Sequence, residues 1–101
     1  MPTKITLVIG NPTSPDEFEK VYSEVLAAAK TFPKLQRAES AKVWPKEDGT
    51  PTPAYRTLDL YFDSYEDASA AVTTPAAGEF FQLLVGSGVP FTGLFSDIEE
   101  G

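Results

Sequence analysis

The feature that most narrows the fold is the run Ser14 to Lys30, "SPDEFEKVYSEVLAAAK". Phe18, Val21, Tyr22, Val25, Leu26 and Ala29 recur at helical spacing and make one continuous apolar stripe. An α-helix turns such a stripe toward a core and leaves its other side to water. The start is well marked: Ser14 is placed as N-cap, Pro15 as the first helical residue, and Glu17 completes a capping-box pattern. Pro33, in "TFP", cannot continue the helix and ends it. A helix with one apolar side needs a second layer to cover, and the flanking segments supply strands.

Before the helix, Lys4 to Gly10, "KITLVIG", alternates Ile5, Leu7 and Ile9 against Thr6 and Val8. After it come a weaker, Ala-rich strand over 35–44 and a Pro-rich loop over 45–53. The strongest strand is predicted at 54–63, "AYRTLDLYFD". There Leu58, Leu60 and Phe62 point one way, and Tyr55, Thr57, Asp59 and Tyr61 the other. Ser64 caps a short helix, "YEDASAAVT", and Thr74-Pro75 starts another, "PAAGEFFQLLV", with Phe80, Phe81 and Leu84 as its apolar set. A last strand is predicted in "VPFTGLFSDIE". The order β-α-β-β-α-β, with its second helical region split, predicts an α+β, ferredoxin-like fold. Its four-stranded antiparallel sheet carries helices on one face.

The other face then holds Thr6, Val8, Tyr55, Thr57, Asp59 and Tyr61, a mixture rather than a run of Lys and Glu. It reads either as a lightly covered face of a monomer or as an interface with a second copy. The aromatic content favours the second copy. Two such sheets face to face would form a dimeric α/β barrel around a small-molecule pocket.

Composition removes whole classes of chemistry. The 101 residues are enough for one domain, 1–101, with a single modest core. No His is present, so there is no imidazole base, Ser-His pair or His-ligated metal. No Cys is present, so thiolate nucleophiles, thiolate metal sites and disulfides are excluded. No oxygen-ligand run of the EF-hand type occurs, and neither cofactor nor metal is expected. The net charge of −7 opposes binding to nucleic acid or to anionic membranes. The N-terminal apolar run "ITLVI" is far too short for a membrane span, so a cytoplasmic, soluble protein is expected.

Three stretches, taken in order, resemble the EthD family of dimeric α+β-barrel proteins. "LVIGNPTSPDEFEKVY" is similar to the family's first strand, Pro-containing loop and helix start. "FPKLQRAE" resembles the family's approach to its second strand, and "LDLYFDSYEDASAAVTTPAAGEF" its third-strand ending and Thr-Pro helix restart. The resemblance spans nearly the whole chain. It implies a homodimer and a small, often aromatic, ligand held between sheet and first helix. The family takes its name from ethyl tert-butyl ether degradation, where members accompany an oxidative system. The resemblance therefore implies a binding or accessory protein of a catabolic or biosynthetic oxidative pathway. The alternative is a cofactor-independent monooxygenase, decarboxylase or isomerase of the same barrel. A third reading is an oligomerising interaction module with a filled barrel. One departure stands out: the family's "Tyr-x-x-x-His" in the first helix is here Tyr22 followed by Leu26 at the His position.

The candidate site follows from these readings. Asp59 corresponds to the family's third-strand acidic residue, which the resemblance turns to the barrel interior. It reads as a proton shuttle beside Tyr61, or as a structural partner of Arg37, Arg56 or the second copy. Tyr22 reads as the other catalytic candidate or as plain core. Leu26, Trp44, Tyr55, Thr57 and Tyr61 complete the candidate pocket, with packing as the alternative role of the aromatics. Asp16, Glu17 and Glu19 are assigned to the helix dipole. An N-terminal Pro2 leading into a strand is also a feature of Pro-based tautomerases, but the third-strand and "TTP" motifs have no place there.

Overall fold

The computed structural model describes residues 1–100. The elements run β1 (Thr3–Ile9), α1 (Pro15–Ala29), β2 (Arg37–Lys42), β3 (Arg56–Phe62), α2 (Tyr65–Ala71), α3 (Pro75–Gly86) and β4 (Phe91–Asp97). The four strands form one antiparallel sheet in the order β2-β3-β1-β4, the ferredoxin-like arrangement. β1 and β3 are central because they carry the strict apolar alternation. Their register sets Ile5 opposite Leu60 and Leu7 opposite Leu58. These residues, with Ile9 and Phe62, are no more than 2% exposed. Each such side chain contributes roughly 1.5–3 kcal/mol on burial.

α1 and α3 pack on each other across this face. α1 supplies Phe18, Tyr22 and Val25, and α3 supplies Ala77, Phe80 and Leu84. Phe32, just past α1, meets Phe80 edge-on at 5.3 Å. The short α2 adds Ala68 and Ala71, small enough to lie close against β1 and β3. Val21 and Leu26 lie at the margin of the stripe and are only partly buried.

The capping box predicted at α1 does not form. Ser14 sits at ψ 89° and its side chain caps nothing, although Pro15 opens the helix as expected. At α2 and α3, Ser64 and Thr74 adopt ψ near 160° and accept hydrogen bonds from the Asp67 and Ala77 amides. The backbone angle of Ser14 turns its hydroxyl away from the corresponding amide. The second strand, Arg37–Lys42, is shorter than the predicted 35–44, although the Gln36 and Val43 amides at its two ends still donate to the Tyr61 and Tyr55 carbonyls.

Candidate functional site

The structure divides the sequence-predicted site between the two sides of the sheet. On the helix side, Tyr22 is buried under α1, and its hydroxyl lies 2.6 Å from the Ser40 hydroxyl of β2. Beside it Arg56 grips Glu19 with both arms of its guanidinium, Nε to Oε2 at 2.9 Å and Nη2 to Oε1 at 2.5 Å. The guanidinium also stacks 4.5 Å from the centre of the Tyr22 ring. The hydrogen bonds from Arg56 hold the Glu19 carboxyl below its ordinary range, and the same bonds push Arg56 further up. Glu19 thus does more than meet the helix dipole: it ties α1 to β3. Leu26 lies half-buried against the core on this side.

Tyr55 also belongs here, contrary to its predicted direction. It precedes β3 rather than lying within it, and its ring meets Phe18 of α1 edge-on at 5.8 Å. Strand alternation does not govern a residue outside the strand. Trp44, beyond the end of β2, is 87% exposed and joins none of the other candidates.

Thr57, Asp59 and Tyr61 occupy the opposite, helix-free face. Asp59 accepts a hydrogen bond from Thr6 at 2.5 Å and lies 3.9 Å from the Lys4 ammonium. Neither Arg37 nor Arg56 pairs with it. Arg56, an odd number of residues away and so on the helix face, is taken by Glu19, and Arg37 serves Glu39 at 3.2 Å. Tyr61 donates to Glu39 at 2.6 Å, which pushes the phenol above its ordinary value. Arg37 stacks over the Tyr61 ring at 4.3 Å. Within one protomer, Tyr22 and Asp59 therefore stand on opposite faces and do not share a pocket.

A cleft opens elsewhere, at the end of the sheet where β1 leaves and β4 begins. Two glycines shape it. Gly88, at φ 74°, reverses the chain after α3 in a left-handed conformation that suits glycine. Gly10 donates to the Pro90 carbonyl at 2.7 Å, and a Cβ there would sit 2.9 Å from the Pro90 ring. The space, about 340 Å³, lies between the start of α1 and the end of α3. Phe18, Val21, Val89 and Pro90 give it apolar walls; Asn11, Ser14, Glu17 and Ser87 give it polar ones. None of these residues is among those the sequence marks for a pocket, because the cleft joins two loops far apart in the chain. Among the described residues no group of three or more acidic side chains is placed to hold a metal, and no helix is long and apolar enough to cross a membrane.

This architecture is known from solved structures. An EthD family protein from Bacillus halodurans superposes with a TM-score of 0.86 at 15% identity, over 96% of this chain and 98% of that one. The fold is that of the EthD family protein. A dimeric ferredoxin-like protein of unknown function from Thermobifida fusca matches at TM-score 0.75 and 13% identity, over 97% of this chain and 92% of that one. SnoaB, a cofactor-independent oxygenase from Streptomyces nogalater, matches at TM-score 0.71 and 12% identity, over 99% of this chain and 95% of that one. No protein-family model and no curated protein matches the sequence. At such identities the likeness establishes the α+β ferredoxin-like fold.

Proposed function

We propose that the protein, over 1–101 as a single EthD-like domain, is a homodimeric binding or accessory protein for a small apolar or aromatic compound. The observation that carries this reading is the cleft at the end of the sheet. Its volume of about 340 Å³ lies within the range of small-molecule sites. Its walls mix apolar and polar groups in similar share, so a ligand could be held by both kinds of contact. The dimer is supported by the helix-free sheet face and by the dimeric ferredoxin-like neighbour. In this dimer Thr57, Asp59 and Tyr61 lie between the two sheets, while Tyr22, Leu26 and Tyr55 hold α1 in place. A cytoplasmic setting within an oxidative pathway accords with a chain that needs no disulfide.

A second reading is a cofactor-independent enzyme, favoured by the likeness to SnoaB. The carboxylate that the cleft offers to such chemistry is Glu17, since Asp59 lies on the far side of the sheet. The test of the binding reading is native mass spectrometry of the purified protein, followed by identification of small molecules released on denaturation. A dimer releasing an apolar compound is the expected result. A ligand-free monomer at micromolar concentration would overturn it.

A further inference from the structure

The polar groups of the cleft carry a bias that bears on its ligand. Among the described residues no Lys or Arg lines it, and Glu17 is the one charged side chain there. Two helix ends also meet there. The start of α1 presents the positive end of a dipole and the end of α3, at Gly86 and Ser87, the negative end of another. These are partial charges of opposite sign, about half a unit each, and they largely offset one another. α3 has no basic residue in its last turn, and α1 already carries Asp16 and Glu17 in its first. The full negative charge of Glu17 therefore decides the sign of the field.

The hydrogen-bonding inventory points the same way. The Nδ2 of Asn11 donates to the Thr52 carbonyl at 2.6 Å, which fixes the amide orientation, since a carbonyl requires a donor. Its Oδ1 then remains as an acceptor and makes no hydrogen bond among the described residues. Ser87 is already engaged, donating to the Leu84 carbonyl and accepting from the Val89 amide. Ser14, which caps nothing, keeps its hydroxyl for a ligand. The side chains of the wall thus offer acceptors in Asn11 and Glu17, adaptable hydroxyls in Thr13 and Ser14, and apolar surface in Phe18, Val21 and Val89.

We infer that the cleft selects a compound with an apolar, ring-sized body and a hydrogen-bond-donating head, an amine or hydroxyl, and rejects carboxylates and phosphates. Glu17 is the residue that reads the head group. This inference rests on the small-molecule reading of the cleft and narrows it.

Three probes of one shape separate the possibilities: 2-phenylethylamine, 2-phenylethanol and phenylacetate. Each is titrated against the full chain and against Glu17→Gln. The readout is the NMR shift of the backbone amides of Asn11, Ser87 and the residue at position 17. The expected order is amine, then alcohol, then acid, with the amine about fivefold tighter than the alcohol. Glu17→Gln should bring the amine down to the level of the alcohol. Added salt should shrink the amine's advantage in the unaltered protein. Equal binding of all three, tighter binding of phenylacetate, or an amine preference that survives Glu17→Gln would overturn the inference while leaving the cleft a binding site. No shift with any probe at millimolar concentration would overturn the small-molecule reading of the cleft along with it.

Discussion

On β3, Leu58, Leu60 and Phe62 are at most 1% exposed, whereas Thr57, Asp59 and Tyr61, between and beside them, are half-buried and face away from the helices. One backbone serves both faces, and the period of two separates their tasks completely. The helix face is apolar and closed by α1, α2 and α3. The other face is polar, but its carboxylates Asp59 and Glu39 and its phenol Tyr61 already have partners within the chain. Asp59 is bound by Thr6, and Tyr61 by Glu39, which Arg37 also holds. Covering a face with unmatched polar groups is costly, because each lost water contact goes unreplaced. Here a second sheet can cover the face and leave none of those groups orphaned. The difference between the faces is thus one of closure: one is finished within the chain, and the other is left open, as the proposed dimer requires.

The largest effect that would break this comparison is expected at Val8, which lies on the helix-free face between Thr57 and Thr92. Val8→Asp places a charge there with no cation beside it, and two-fold symmetry places it twice in each dimer. Self-association should weaken by about a hundredfold or more, read by sedimentation, with the circular dichroism of the protomer unchanged. Undiminished dimerisation would show that the face is not the interface. Next in size is Leu60→Ala on the closed face, expected to cost about 2–5 kcal/mol in urea denaturation. Its neighbour variant Tyr61→Phe should cost about 1 kcal/mol or less, since it removes one hydroxyl and keeps the ring. Similar losses at the two positions would erase the distinction between the faces.

A comparably small effect concerns the seam between α1 and β3. Glu19 has a side chain 34% exposed, so solvent screens the Arg56 pair, and Glu19→Gln should cost only about 1 kcal/mol at neutral pH. The pH dependence has a definite sign. The folded state holds Glu19 below its ordinary value of 4.5, so the stabilisation is complete above that value. It is lost as pH falls through the lower folded value, where the stability curves of the two proteins should converge. Curves that stay parallel through the acid range would remove the ion pair as the cause.

The fold was legible in the sequence because its signals are local and periodic. The α1 stripe and the alternation of β1 and β3 each report a covered side, and the order of elements leaves few ways to arrange them. The exceptions are equally physical. A capping-box pattern names residues but not ψ, so Ser14 reads like Ser64 and Thr74 while its backbone sends the hydroxyl elsewhere. Tyr55 stands one residue before β3, outside the alternation that would have placed it. The cleft was the hardest feature to foresee. Its polar residues sit in two loops and one helix turn that meet only once Gly10 and Pro90 are in contact. Arg56 was visible as a charge on a strand, but its match with Glu19 required knowing that α1 crosses that end of the sheet.

The placement of Trp44 has a practical consequence for optical work. It is the only tryptophan, and it stands 87% exposed in the loop beyond β2. Its emission already comes from a water-like environment in the native state. A melt followed by tryptophan fluorescence would therefore register little as the core of Leu58, Leu60 and Phe80 came apart. The same indole would answer readily to anything that settled over the β2–β3 loop, which makes it a native reporter of contact rather than of unfolding.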